Sequence, residues 1–428
     1  MAGFTKPRLV IVGGSVGGLF LGNILMRGGW HVDIFERVTE ELASRGAGIA
    51  EHAAMVPIMA AAGIVAEGGI GMEMPARTAY DRFGTIIARY PYPQYLAAWS
   101  LVFNPLRAAF PREHYHQGRQ LVGITRRMQS VAAHFADGGS VEADLIVGAD
   151  GFRSTVRALE APEIVARYAG YVAWRGLVDE LNLPAQFTRE TFGNFAFCFP
   201  PRGQFIGYPL AGRDDSHEAG RRRYNFIWYT HLPEEDLADL LTDDEGVTHE
   251  YSIPPPLIRS EHSDALKQQA SALLPPMFSE VVERAQRYMV QPIYDVESAH
   301  IAFDRVTLLG DAAFVARPHV GIGVLKAAED AFELMKCLAG SLRVEDALAH
   351  YEKTRVAAGR SAVAVGRYLG SFIERGLPGP QSDPSLGLSP REDYTHQRAP
   401  GAGNHGVSER ANWGVGIWAC DGVNKGVR

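Results

Sequence analysis

The stretch "RLVIVGGSVGGLFLGN", residues 8–23, constrains this chain more than any other. A short β-branched apolar run ends on a cluster of glycines, and over residues 18–26 Leu21, Ile24 and Leu25 share one helical face. "HVDIFER" then supplies a second strand through Val32, Ile34 and Phe35, so the segment predicts a β-α-β unit and a parallel sheet. Such a strand-to-helix turn needs small residues at three places. One makes the turn, one lets a phosphate approach the backbone, and one brings helix and strand together. Gly13, Ser15 and Gly18 occupy these places. Ser15 narrows the middle place without closing it, because its amide still points at whatever lies over the helix N-terminus. Glu36 ends the second strand, where an acidic side chain accepts hydrogen bonds from both hydroxyls of a ribose, and Arg37 stands beside it. The competing reading is a tight turn in an ordinary α/β fold with Glu36 solvated.

The chain has 428 residues, 46% apolar and 21% charged, enough for a sizeable core in two or three lobes. A formal net charge of −7 supplies no field for nucleic acid or an anionic membrane. The most apolar run, residues 53–66, is too short to span a bilayer, carries Pro57, and reads as a packed helix. No targeting segment is read before the first strand. Cys198, Cys337 and Cys420 are widely separated, have no metal-ligand spacing, and point to a reducing, cytoplasmic setting.

Two further signals stand at strand ends. In "ADLIVGADGFRSTVR" residues 145–147 form a buried strand, Gly148 and Gly151 bracket Asp150, and Ser154 to Arg157 begin a helix. In "VTLLGDAAFVARPHVGIG" a strand ends on Gly310, Asp311 sits at its carboxyl edge, and a loop with Pro318, Gly321 and Gly323 leads into a helix whose free N–H groups face the sheet edge. Helical text continues over residues 323–373. Between residues 168 and 230, "YVAWRGLV", "NFAFCFPP", "QFIGYPL" and "YNFIWYT" predict an antiparallel sheet. Its strands alternate, with Asn225, Ile227 and Tyr229 on one face and Tyr224, Phe226 and Trp228 on the other. One face is core and one is pocket; the pattern leaves open which.

In this order, "GGSVGG", "GADGFRSTVR" and "LLGDAAFVARP" resemble the motifs of single-component FAD-dependent aromatic hydroxylases of the para-hydroxybenzoate hydroxylase type. "YAGYVAWRG", "RRRYNFIWY" and "GDAAFVARPH" are most similar to the 2,6-dihydroxypyridine 3-hydroxylase branch of that family. The resemblance implies an α/β fold: a Rossmann-like FAD-binding domain (1–160 and 285–375), an inserted antiparallel substrate domain (161–284), C-terminal helices, and a loosely structured tail (376–428). It implies that Gly13, Ser15 and Gly18 meet the FAD pyrophosphate, Glu36 the adenosine ribose, and Asp311 the ribityl chain. Asp150 and Arg157 match a motif for FAD and NAD(P)H handling, and Arg45 matches a cofactor-contacting arginine. The chain departs from the family where "GQGxN" reads "GIGVL": Ile322 and Leu325 replace two polar residues, and Lys326 follows.

The resemblance implies that NADH or NADPH and O₂ are co-substrates and that a small hydroxylated aromatic or N-heteroaromatic ring is hydroxylated. A group that ionises the ring hydroxyl would assist. His52, Tyr171, Tyr208, His231 and His319 are the candidates, with Tyr208 and His319 expected to be catalytic. Arg175 could pair with an anion or anchor a strand. A flavin oxidase or reductase without oxygen insertion, a hydroxylase of larger polycyclic rings, and a non-catalytic nucleotide-binding protein remain open. Halogenases are disfavoured, because Trp174 is followed by "RGLV" and no "WxWxIP" is present. No metal is expected, and a homodimer is compatible with the reading.

Overall fold

Strand Arg8–Val12 is buried at every residue except Arg8, as a strand covered on both faces must be. In the computed structural model, which describes residues 7–40, 42, 48–65, 70–212 and 215–376, it pairs in parallel with His31–Phe35 and with Leu145–Gly148. Val306–Leu308 extends the parallel set beyond Leu145–Gly148, and Tyr115–His116 extends it beyond His31–Phe35. Antiparallel Ala302–Phe303 completes a six-stranded sheet. Helix Val16–Arg27 is buried over its first ten residues because it lies between this sheet and helix Gly323–Gly340. The helical text after Gly323 is two helices rather than one, Gly323–Gly340 and Val344–Arg375, separated at the extended Ser341. The run 53–66 is helical only over Met55–Ala61, since Gly63 turns the chain at φ +86°.

A second sheet has nine strands in the order Phe314–Val315, Tyr288–Glu297, Arg167–Asp179, Arg223–His231, Gly203–Leu210, Phe195–Cys198, Met72–Tyr80, Ile86–Ala98 and Gly48–Ala50. The antiparallel strands expected between 168 and 230 form its centre. It also recruits strands from outside 161–284, because Phe195–Cys198 leaves an edge that Met72–Tyr80 fills in parallel, and Arg167–Asp179 leaves one that Tyr288–Glu297 fills. Side-chain alternation then decides the question left open by the pattern. Tyr224, Phe226 and Trp228 join Trp174 in a core against Leu266, Phe278 and Val282 of helices Ser260–Leu273 and Pro276–Arg284. The opposite face carries Tyr171, Tyr208, Ile227 and Tyr229 and packs against Ala50, Met72 and Phe372.

Among the described residues no helix is long and apolar enough to cross a membrane, and Cys198 and Cys337 are free. Arg45, Cys420 and the expected tail from residue 377 onward lie outside the described residues.

Candidate functional site

The turn after Arg8–Val12 leaves no room for side chains at its first and third places. Gly13 has φ +107°, and a Cβ there would sit 2.4 Å from the Ala149 carbonyl oxygen; one on Gly18 would sit 2.1 Å from the Gly13 carbonyl oxygen. Ser15 is different: it is half-buried at the N-cap of helix Val16–Arg27, and its side chain makes no capping bond. The first-turn N–H groups therefore have no side-chain acceptor, which is the condition for receiving a phosphate oxygen. Glu36 is buried beside them. One carboxylate oxygen accepts from Gly14 N–H (2.8 Å) and the other from Val38 N–H (2.9 Å), so each keeps a lone pair for a ribose hydroxyl. Arg37 is exposed.

Asp150 is turned into its own chain. It accepts from Ser154 Oγ (2.6 Å), Thr155 N–H (2.7 Å) and Val156 N–H (3.1 Å), and so caps helix Thr155–Glu160. Arg157 donates to the carbonyls of Phe152 (2.6 Å) and Ala312 (2.8 Å), tying the Asp-Gly loop to the turn that carries Asp311. The Asp311 side chain remains 49% exposed at the end of Val306–Leu308. Glu36, the Gly13–Ser15 turn, Asp150 and Asp311 thus follow the carboxyl ends of four neighbouring strands. At roughly 4.8 Å per strand they line about 14 Å of sheet edge. Beyond Asp311, helix Gly323–Gly340 begins without a side-chain cap, and Gly321 (φ +70°) and Gly323 are exposed. Ile322 and Leu325, which replace polar residues of the family pattern, pack into the core and leave the backbone donors free. His52 Nε2 donates to the Gly321 carbonyl (3.0 Å), so this histidine braces the loop. An uncapped helix start, glycines that a Cβ would fill, and acidic acceptors for hydroxyls together fit the pyrophosphate, ribose and ribityl parts of FAD.

The inner face of the nine-stranded sheet supplies side chains rather than backbone. The Tyr208 hydroxyl rests against Gly48, where a Cβ would lie 2.1 Å from it. Burial pushes this phenol up to about 12, against a smaller opposing pull from Arg175, so at neutral pH it is a donor. His319 Nδ1 lies 2.8 Å from Gln204 Oε1 and Nε2 lies 2.8 Å from the Tyr171 hydroxyl. One neutral tautomer satisfies both, with Nδ1 donating to Gln204 and Nε2 accepting from Tyr171. Burial and the Arg317 cation push the ring down to about 3. Arg317 is itself paired with Asp295 and Glu374. His231 lies apart, bonded to Arg202 at the end of its strand.

Arg175, Asn225, Tyr208 and Tyr229 come together on this face through register: Arg175 pairs with Ile227, and Asn225 with Tyr208. Arg175 Nε and Asn225 Nδ2 are buried with no hydrogen-bond partner among the described residues. Gln204 and the donor role of Asn225 escape a sequence reading because no single strand reveals its neighbour's register. His31, Asp33 and His114, which carried no motif, also converge, with Arg8 paired to Asp33 at 3.2 Å.

The chain is similar to known proteins over most of its length. A 2,6-dihydroxypyridine 3-monooxygenase of Paenarthrobacter nicotinovorans is 28% identical over 382 residues, covering 87% of this chain and 93% of the relative. A 6-hydroxynicotinate 3-monooxygenase of Pseudomonas fluorescens is 26% identical, covering 82% and 88%. The solved structure of 2,6-dihydroxypyridine-3-hydroxylase from Arthrobacter nicotinovorans superposes with a TM-score of 0.83 at 27% identity, covering 90% of this chain and 97% of that one. A profile described as FAD binding domain-like matches residues 168–295. The profile of the FAD binding domain family matches residues 7–163 and 262–365, well over half of the chain, and the protein belongs to that family.

Proposed function

We propose that this protein is an FAD-dependent monooxygenase that hydroxylates a small hydroxylated aromatic or N-heteroaromatic ring, using NADH or NADPH and O₂. The observation that carries the substrate side is the donor-rich inner sheet face, where Arg175 Nε and Asn225 Nδ2 are buried donors that no group among the described residues accepts. Leaving such donors unpaired costs about 1–3 kcal/mol each, and an oxygen on a flat ring between Tyr208 and Tyr229 would accept from them.

Bound FAD supplies electron transfer from the nicotinamide and activation of O₂. The balance is one ring C–H, one O₂, one NAD(P)H and one proton giving ring C–OH, water and NAD(P)⁺. The chain's own residues bind and orient. The N–H groups after Ser15 meet the pyrophosphate, Glu36 and Asp311 accept sugar hydroxyls, and the Gly321–Gly323 backbone faces the flavin. Asp150 acts through the loop it caps, Pro318 shapes the turn before Gly321, and Arg37 borders the cofactor groove; Arg45 is assigned a cofactor contact by the family resemblance alone. Tyr208, protonated at neutral pH, donates to the substrate oxygen, and with Arg175 it favours the ionised ring. His319, with both nitrogens engaged, orients Tyr171 and Gln204 rather than acting as a base. The six-stranded sheet holds cofactor and the nine-stranded sheet faces substrate. We place the protein in the cytoplasm, with a homodimer as its assembly, read by light scattering on the purified protein.

The test is to purify the protein, measure bound FAD, and screen 2,6-dihydroxypyridine, 6-hydroxynicotinate, salicylate and 4-hydroxybenzoate for stimulated NAD(P)H oxidation. Product mass gaining one oxygen supports the reading. NAD(P)H consumption without oxygen in any product would make it an oxidase or reductase.

A further inference from the structure

Lys326 is the part of the flavin loop that the family motifs leave unexplained. It lies in the first turn of helix Gly323–Gly340, is 3% exposed, and its Nζ has no hydrogen-bond partner among the described residues. A cation there is disfavoured twice, by loss of water and by the positive end of the helix. Two carboxylates offset this. Asp311 Oδ1 and Asp330 Oδ2 each lie 3.8 Å from Nζ. Asp330 is fixed in turn, accepting from Gly310 N–H (2.9 Å) and from Arg355 Nε (2.5 Å), and Arg355 also pairs with Glu329 (3.2 Å). Charges therefore alternate in sequence from helix Val344–Arg375 to the sheet edge: Arg355, Asp330, Lys326, Asp311. Of the two carboxylates only Asp311 has open surface, with 49% of its side chain exposed against 5% for Asp330.

We infer that Lys326 is a positioning residue for cofactor retention, which holds the Asp311 carboxylate ionised and in place to accept the ribityl hydroxyls of FAD. This rests on the FAD reading above. An ionised carboxylate offers both oxygens as acceptors, whereas a protonated one spends an oxygen on its own proton. The charged groups that face Asp311 are Lys326 and Asp330 from helix Gly323–Gly340, Arg157 from helix Thr155–Glu160, whose guanidinium lies 3.5 Å from the Asp311 carbonyl, and Arg355 behind Asp330. Desolvation raises the Asp311 carboxyl, Lys326 opposes that most strongly, and Asp330 adds to the rise. Without the ammonium, the buried Asp330 carboxylate and the half-exposed Asp311 carboxylate lose the cation that lies 3.8 Å from each.

The experiment follows FAD release from the purified holoenzyme between pH 5 and 9, by the rise of free-flavin fluorescence, for wild type, Lys326→Met and Lys326→Arg, with circular dichroism and thermal melting to confirm the fold. For Lys326→Met the pH of half-release moves up by about one unit, and affinity at pH 7.5 falls at least about tenfold. Lys326→Arg recovers most of both. A folded Lys326→Met protein with the wild-type midpoint overturns the inference, and so does a uniform loss of affinity without a midpoint shift, which marks a packing residue. Should the Met variant not fold, Asp330→Asn keeps an acceptor for Gly310 and removes the competing charge. Its midpoint is expected to move down, and an unchanged midpoint overturns the assignment. A wild-type protein that binds no FAD at any pH fails differently, because it removes the cofactor reading itself.

Discussion

The two sheets present different chemistry at their candidate sites. At the carboxyl edge of the six-stranded sheet the groups on offer are mostly backbone: a glycine turn and two uncapped helix starts, with Glu36 and Asp150 braced by neighbouring N–H groups. On the inner face of the nine-stranded sheet the groups on offer are side chains from separate strands, Arg175, Tyr208, Asn225 and Tyr229, brought together only by pairing. The first kind of site tolerates little change in shape and much change in side-chain identity at its open place. The second tolerates changes of strand sequence as long as a few donors survive. Fold and cofactor are therefore expected to be shared widely among relatives, and the substrate is expected to vary.

The contrast breaks most visibly at Gly13. Gly13→Val puts a β-branched side chain at φ +107° and against the Ala149 carbonyl. It is expected to cost about 3 kcal/mol or more in stability and to abolish FAD occupancy, read by thermal melting and by flavin absorbance of the purified protein. A Val variant that copurifies with stoichiometric FAD would show that this turn does not approach the cofactor. Next in size is Arg175→Met, which should leave FAD bound while weakening ring-substrate binding roughly tenfold to a hundredfold, the range for losing a charged hydrogen bond. Tyr208→Phe should have a smaller effect of the same kind, about fivefold to tenfold. Substrate titrations of the holoenzyme by flavin difference spectra measure both, and a parallel loss of FAD would erase the distinction between the two sheets.

His319 gives a pH signature to the second region. Its folded-state value near 3 lies below the ordinary histidine value of 6.5, so between these pH values the unfolded chain holds the extra proton. Stability from this site is fully present above pH 6.5 and falls as pH drops toward 3, with a slope of at most about 1.4 kcal/mol per unit. His319→Gln should flatten that part of the acid-unfolding curve, followed by urea midpoints at several pH values. The smallest effect is expected at Ser15→Gly, which should leave FAD affinity within about tenfold, because the serine stands at the open, half-buried place of the turn and caps nothing.

Much of the first region was legible in the sequence because its signals are local. Strand, glycine turn and helix lie within residues 8–27, and the small residues are dictated by contacts with segments that fold against them in any parallel α/β sheet. Asp150 was legible as a motif and not as a role: only the folded loop shows its carboxylate spent on capping a helix while Arg157 carries the link to Asp311. The alternation of Tyr224 to Tyr229 was legible too, but which face is core depends on where helices Ser260–Leu273 and Pro276–Arg284 settle, more than thirty residues downstream.

The sequence by itself determined the β-α-β start, the order of the strand-end motifs and the aromatic strands, since each follows from periodicity and turn chemistry over a few residues. Tertiary structure alone decided that Met72–Tyr80 and Tyr288–Glu297 complete the nine-stranded sheet, that His319 has both nitrogens engaged, and that Lys326 is sealed between Asp311 and Asp330. Each of these depends on groups far apart in the chain, and whether a side chain ends as donor, brace or buried ion is set by the partners and the loss of water that packing brings.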